Sequence, residues 1–534
     1  MDTYDYVVIG AGPAGCAVAA RLADACPDAT VALLEAGPAR APIFSDVPFG
    51  LALLVPFRSR YNYGYHTVPQ AGLGGRRGYQ PRGRGLGGSS LINAMIYTRG
   101  HAGDYDDWAA AGCAGWSYAD LLPYFRRSEG NARGADAWHG GDGPLKVEDL
   151  ATPHPFSLDF IAAAEQAGFA SNTDFNGATQ EGVGLYQVFT EHGRRCNAAR
   201  AYLSAPRSNL HVVAGCHVER ILFDDGRATG VEVSRGGGSE RIGARAEAVL
   251  CAGAFGSPQL LMCSGIGPAS HLREHGIDVV VDRPAVGENL QDHVDYTINL
   301  AVPDRSLLSS ANFLPRFLGG YSRWRRGEGG ACASNVCEAG GFVKTDPSLA
   351  RPDVQLHFLY GIVDRHNRRP HLDRGISAHV CVLRPTSRGN VRLAHKDAGR
   401  APLIDPRFLD TANDMHALEK GVQLLRRILA APALARHGGR VLHGSGDETG
   451  EALRALIRRR ADTIYHPVGT CRMGADADSV VDPELRLRGI ENVRVADASI
   501  MPKLIGGNTE APSAVIGEKA ADLLASRTSP PRNR

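Results

Sequence analysis

The alternation of apolar and polar positions divides the chain into a β-α-β start, a glycine-rich stretch, a β-rich middle, a mixed central section and a short return to strand and helix. Tyr4–Ile9 is a near-continuous apolar run, followed by a glycine turn, an alanine-rich segment over Ala14–Ala25 and a second apolar run over Thr30–Glu35. Run lengths and periods predict strand, helix and strand. Residues 36–100 carry so many Gly and Pro that mostly irregular structure is expected, ending in Gly83–Gly100. Strand patterns follow over Leu210–Ala214, Val218–Phe223, Ala228–Ser234 and Ala248–Ala252, then a helix over Ser257–Cys263. From about 298 to 460, strand-like runs (Val354–Tyr360, Ser377–Leu383) alternate with helical ones (Met415–Leu429). Val493–Val495 and a helix near Pro512–Ala525 close the pattern, and the Pro/Arg-rich tail after Ser526 is expected to be disordered. No internal repeat is present.

Composition narrows the class. A chain of 534 residues, 43% hydrophobic and 22% charged, buries a substantial core in two or more domains. A formal net charge of +2, with scattered Lys and Arg, argues against a nucleic-acid surface. No uninterrupted apolar stretch reaches the ~18–20 residues of a spanning helix, and no basic, apolar, small-residue leader opens the sequence. The default location is the cytoplasm, with a peripheral membrane association left open. The 11 cysteines form no ligand spacing, and the closest of them in this reading, Cys332 and Cys337, read as reduced thiols. Neither a structural metal nor a required disulfide is expected.

Gly10-Ala11-Gly12-Pro13-Ala14-Gly15 is a GxGxxG segment between the first strand and the first helix. Gly10 allows the tight turn, Gly12 lets the backbone approach a pyrophosphate and Gly15 lets helix and strand pack closely. The phosphates would sit on the helix N-terminus. Glu35, ending the second strand, stands at the offset of a carboxylate that grips ribose hydroxyls and disfavours a 2′-phosphate. The motif does not separate FAD from NAD.

Longer segments make that separation. Gly83–Ala94 (GRGLGGSSLINA), Gly253–Gly267 (GAFGSPQLLMCSGIG), Tyr465–Gly474 (YHPVGTCRMG), Val495–Pro502 (VADASIMP) and the stretch from Gly506 to Asp522 resemble, in order, the signatures of the glucose–methanol–choline (GMC) flavin oxidoreductases, especially bacterial choline- and alcohol-dehydrogenase members. The resemblance runs from about Tyr4 to Leu524. It implies an α/β fold with a discontinuous, Rossmann-like FAD-binding domain (1–150, 197–297 and 463–534) and a substrate-binding domain of mixed sheet and helix (151–196 and 298–462). It implies FAD contacts at Gly87, Gly88, Ser89, Asn93 and Ala94, adenine near Val218, and cofactor contacts at Asp497 and Ala498. Asn93 has a blander reading as a turn asparagine. Some relatives anchor the flavin covalently through a histidine at the position of Ile92; Ile92 has no nucleophilic nitrogen, so non-covalent FAD is expected.

The implied reaction oxidises a primary alcohol to an aldehyde. The hydroxyl proton needs a base titrating near neutrality, and flavin N5 takes the hydride. The resemblance assigns the base to His466. His293, in Asn289-Leu290-Gln291-Asp292-His293, reads as structural or cofactor-adjacent. Family members carry Asn or His at a second catalytic position, and alignment through Ile516–Asp522 puts Glu510 there. An ionised Glu accepts hydrogen bonds but donates none. Three readings stay open: a protonated donor, a binder of a cationic or polyhydroxylated substrate, or a residue serving only the helix start. Asn508 and Thr509 read as cofactor-facing or capping groups, with Asn508 a lesser candidate for the catalytic amide. Phe313, Phe317, Tyr321 and Trp324 read as core packing ahead of pocket lining. The electron acceptor is a quinone, another carrier or oxygen, with a dehydrogenase favoured. The alternative on the same fold is a flavin-containing hydroxynitrile lyase. The particular alcohol and the oligomeric state are not legible.

Overall fold

A computed structural model describes residues 2–42 and 44–528, without the side chains of Arg527 and Thr528. Two sheets organise the chain. The first runs in the order Leu210–Ala214, Val31–Glu35, Asp2–Ile9, Gly238–Leu250, Arg227–Arg235, Cys216–Asp224, with Val493–Val495 added beside Gly238–Leu250. Asp2–Ile9 is parallel to both its neighbours, and Leu210–Ala214 and Val493–Val495 are parallel to theirs. Strands buried on both faces need no alternation, which is why Tyr6–Ile9 and Val31–Glu35 read as unbroken buried runs. The 13-residue strand Gly238–Leu250 exceeds the expected Ala248–Ala252. Its exposed first half forms an antiparallel ladder with Arg227–Arg235, and its buried second half turns parallel to Asp2–Ile9.

The second sheet is antiparallel: Arg440–Val441, Val294–Ala301, Gly375–Val382, Val354–Leu359, Cys337–Val343, Gly182–Leu185, with Asp462–Thr463 beside Val294–Ala301. The helix Ala412–Leu429 buries Met415, Leu418, Val422 and Leu425, one stripe at i, i+3 and i+4 spacing, in this sheet's core. The helix Ser310–Arg325 was legible in sequence only as an aromatic stretch. It buries Phe317 and Trp324 and stacks Phe313 on Phe49 with ring centroids 5.0 Å apart.

The last helix, Glu510–Thr528, packs on Pro13–Ala25, with Gly517 set against the Ala14 backbone. The remainder of the tail lies outside the described residues. Among the described residues no helix is long and apolar enough to cross a membrane. The carboxyl ends of the parallel strands (Ile9, Glu35, Leu250, Val495) all deliver the chain to one place, where parallel α/β sheets present ligand sites.

Candidate active site

A cavity of about 1410 Å³ opens there and continues to the second sheet. Gly10, Gly12, Glu35, Gly88, Ser89, Asn93, Ala94, Val218, Asp497, Ala498, His466, Asn508, Thr509 and Glu510 all line it. Gly15 and Gly87 stand behind the lining. A Cβ on Gly15 would fall 1.8 Å from the Gly10 carbonyl oxygen, so only glycine lets helix and strand approach this closely. The Gly87 N–H holds the turn by donating to the Ala11 carbonyl at 2.7 Å.

The first strand, second strand and glycine segment meet at Glu35. Its carboxylate accepts the N–H groups of Ala11 (3.0 Å), Gly37 (2.7 Å) and Gly85 (2.9 Å). Burial pushes its pKa up, and those backbone donors pull it back. Asp497 works similarly, accepting the Gly253 N–H at 2.8 Å and the Ser257 hydroxyl at 2.5 Å. The starts of three helices, Pro13–Ala25, Gly253–Cys263 and Glu510–Thr528, border the cavity and point their positive ends at it.

His466 is built by two segments that zip together. Gln291 and Val468 exchange backbone hydrogen bonds at 3.1 and 2.9 Å. Asp292 then accepts the His466 N–H at 2.8 Å and the Thr463 hydroxyl at 2.5 Å. Arg82 donates to the Tyr465 carbonyl at 2.8 Å. Between these clamps Tyr465 is held at φ +79°, a left-handed conformation that costs a non-glycine residue about 1–3 kcal/mol. Met95 (φ +60°) and Val336 (φ +67°), also left-handed, line the same cavity.

Hydrogen-bond logic sets the tautomer of His466. His293 Nε2 lies 3.1 Å from the Leu383 carbonyl, which can only accept, so His293 carries its proton on Nε2. Burial pushes its pKa down to about 3, so the ring is neutral and its Nδ1 is an acceptor. His466 Nδ1, 2.9 Å away, must therefore donate to it. The neutral His466 ring then keeps an unprotonated Nε2. Asn508 matches this: its Oδ1 accepts from Gln355 Nε2 (3.0 Å) and Thr98 Oγ1 (3.2 Å), which turns its N–H₂ toward His466 Nε2 at 3.1 Å. Burial, then His293, His357 and Arg82, hold the His466 pKa well below the ordinary imidazole value.

This geometry departs from the sequence alignment at the second position. The side chain that reaches His466 is Asn508, the lesser candidate, and Glu510 is turned elsewhere. One Glu510 oxygen accepts from the Asn93 amide; the other is buried without a partner. Burial, opposed by Asn93 and Arg195, pushes the Glu510 pKa up to about 7. The fully buried Arg195 donates to the Asn93 carbonyl and Oδ1, each at 2.8 Å, so Glu510, Asn93 and Arg195 form one cluster. Sequence reasoning also missed Asp292, Arg195 and His357. Only Asp292 and His293 carried a signal, as members of a segment singled out for its family likeness.

The described residues define a nucleotide-binding α/β protein in which a second sheet closes over the site. The amino-terminal GMC oxidoreductase model matches residues 4–295 and the carboxy-terminal one residues 385–517. The chain belongs to the GMC oxidoreductase family. It is 43% identical over 528 residues to the alcohol dehydrogenase (acceptor) of Pseudomonas putida, covering 98% of this chain and 95% of that one. It is 43% identical over 534 residues to the mitochondrial choline dehydrogenase of Homo sapiens, covering 98% and 90%. Among solved structures, pyridoxine 4-oxidase from Mesorbium loti superposes with a TM-score of 0.87 at 32% identity, covering 97% of this chain and 98% of that one. A formate oxidase variant from Aspergillus oryzae reaches 0.90 at 26%, covering 99% of both.

GMC oxidoreductases bind FAD, and FAD is the cofactor of this chain. The residues fit it. A Cβ on Gly12 would meet nothing within 4 Å, so that face of the phosphate turn is open to the cavity. Glu35 offers acceptors at a strand end, and three helix starts offer positive potential for phosphates. Ile92, also on the lining, supplies no atom for a covalent link, so FAD is held non-covalently.

Proposed function

We propose that this protein oxidises an uncharged primary alcohol to the aldehyde, with His466 Nε2 taking the hydroxyl proton. FAD, when bound, accepts the hydride from the alcohol carbon. The observation that carries the reading is the His293–His466–Asn508 chain, which leaves a neutral imidazole with its lone pair on Nε2 at the cavity wall. The Asn508 amide, fixed by Gln355 and Thr98, donates to whatever oxygen takes its place beside His466. An imidazole whose pKa is depressed by burial stays in its base form through neutral and weakly acidic pH. Glu510 acts through Asn93, holding that side chain against Arg195.

Charge selects the substrate class. Six arginines line the cavity (Arg58, Arg77, Arg82, Arg84, Arg368 and Arg400) against three carboxylates. Glu35 and Asp497 are occupied by backbone N–H groups, and Glu510, with a pKa of about 7, is half-neutral at neutral pH. Arg84 stands beside Glu35 at the nucleotide end, where the pyrophosphate of FAD would offset it; beside His466 the nearby cation is Arg82, which disfavours a quaternary ammonium group at that end of the cavity. The 43% identity to an alcohol dehydrogenase (acceptor) supports a quinone or other carrier as electron acceptor.

Holoprotein mixed anaerobically with 1-octanol, benzyl alcohol and choline tests the reading through loss of the flavin's visible absorbance. The neutral alcohols are expected to bleach it and choline to do so poorly. Efficient bleaching by choline alone overturns the substrate class. Unchanged bleaching by His466→Ala overturns the base. A flavin that stays oxidised with every alcohol while the protein cleaves a cyanohydrin establishes the lyase.

A further inference from the structure

The rim of the cavity carries a feature that the chemistry at His466 does not use. Three segments form it. Residues 49–59 contribute Leu53 and Phe57, the helix Ser310–Arg325 contributes Leu314 and Leu318, and the loop 361–374 contributes Leu372. All five are exposed large apolar side chains, Phe57 at 61%, Leu318 at 62% and Leu372 at 83%. The segments touch one another. Ser310 and His371 are joined by two hydrogen bonds of 3.0 Å, Asn367 donates to the Ala52 carbonyl at 3.2 Å, and Phe49 stacks on Phe313. Two of the tips, Leu53 and Phe57, also line the cavity, as does Phe313 of the helix that carries Leu314 and Leu318, so the patch borders its mouth. Leu314 and Leu318 lie one helical turn apart on the outward face, while Phe317 turns inward.

The charge around these tips is one-sided. Arg58 and Arg60 follow Phe57 with no acid nearby in sequence, and residues 305–327 contain five arginines and no acid, of which Arg323 and Arg326 pair with Glu328. Residues 365–374 carry four arginines against one aspartate. The whole chain has a formal net charge of only +2, so this basicity is local. Arg58, Arg60, Arg325, Arg365 and Arg374 are exposed, and among the described residues no carboxylate lies within 4.0 Å of their charged groups. Protruding apolar tips set among unpaired cations are the chemistry of a surface that enters an anionic lipid interface.

We propose that this face docks on an anionic lipid bilayer. Leu53, Phe57, Leu314, Leu318 and Leu372 enter the boundary between headgroups and acyl chains, and the arginines meet lipid phosphates. The mouth of the cavity then faces the membrane, and alcohols dissolved in lipid enter without crossing bulk water. The docking itself stands apart from the proposed reaction; only the route of the alcohol rests on it.

The test is co-sedimentation of holoprotein with vesicles of pure phosphatidylcholine and with vesicles containing one-third phosphatidylglycerol. The wild-type protein is expected to sediment with the anionic vesicles, less so at high salt and little with the neutral ones. Leu314→Glu/Leu318→Glu is expected to lose at least about tenfold in vesicle binding, with flavin content, circular dichroism and bleaching by benzyl alcohol in solution unchanged. Arg60→Gln/Arg325→Gln is expected to lose the preference for anionic lipid. Absence of sedimentation with either vesicle overturns the proposal, as does equal binding by both double variants and the wild type. A wild-type dimer that Leu314→Glu/Leu318→Glu dissociates, seen by light scattering without vesicle binding, makes the face a copy–copy interface and also overturns it. Because vesicle binding is read without turnover, inactivity on alcohols leaves the result intact, and failure to bind vesicles leaves the alcohol reading intact.

Discussion

Replacing His293 separates a residue that orients the base from one that merely fills space. In His293→Leu, His466 Nδ1 loses the acceptor now 2.9 Å away. A buried N–H left unpaired costs about 1–3 kcal/mol. The same penalty bears on the tautomer, because the alternative form moves the proton to Nε2 and off the atom required to take the alcohol's proton. That form also faces the Asn508 N–H₂, whose orientation Gln355 and Thr98 hold. At 1.36 kcal/mol per factor of ten, the limiting rate of anaerobic flavin reduction should fall about 5- to 150-fold. His466→Ala removes the base altogether and should lose about 10²–10⁴-fold. The measurement is stopped-flow reduction by benzyl alcohol over a range of pH. The alcohol's apparent dissociation constant should stay near the wild-type value while the limiting rate drops. His293→Asn, whose carbonyl oxygen can accept from Nδ1, should recover part of the loss. A His293→Leu protein with full flavin content and the wild-type limiting rate refutes the tautomer argument.

Other outcomes follow from the same structure. Glu510 has its pKa raised from 4.5 to about 7 by burial, so as pH rises through that window the unfolded state releases a proton that the folded state retains. Its contribution to stability is therefore present below about pH 4.5 and lost by about pH 7, about 3 kcal/mol in all. Glu510→Gln should thus unfold at a higher temperature than the wild type at pH 8, with little gain at pH 5; an unchanged difference between the two pH values removes the argument. Gly15→Ala places a methyl group 1.8 Å from the Gly10 carbonyl oxygen and should destabilise the holoprotein by roughly 3 kcal/mol, with loss of FAD on gel filtration. Denaturation of the wild-type protein should release all of its flavin into the supernatant, since Ile92 offers no covalent anchor; a fluorescent protein band on a denaturing gel contradicts that.

The outer plan was legible because its signals are local. An apolar run, a glycine turn and an alanine-rich segment specify the strand and helix at Tyr4–Ala25 without reference to the rest of the chain, and the long motifs carry the family with them. Which of the two side chains meets His466 was not legible, because Asn508 and Glu510 are only two residues apart. Both line the cavity, and which one meets the imidazole depends on where the last helix begins. Asn508 precedes the helix and Glu510 is its first residue, so the two side chains leave the backbone in different directions.

By itself the sequence determined the glycine segment of a dinucleotide site and the carboxylate at Glu35, which follow from residue type and short spacing. The family resemblance carried the rest: FAD rather than NAD, the apolar Ile92 where some relatives hold a histidine, and the choice of the histidine at 466. The tertiary structure alone decided the protonation pattern around that histidine. His293 lies 173 positions away along the chain and the Leu383 carbonyl a further 90 from His293. A proton's place on an imidazole is set by the partner each ring nitrogen meets, and those partners come together only when the two sheets close on one another.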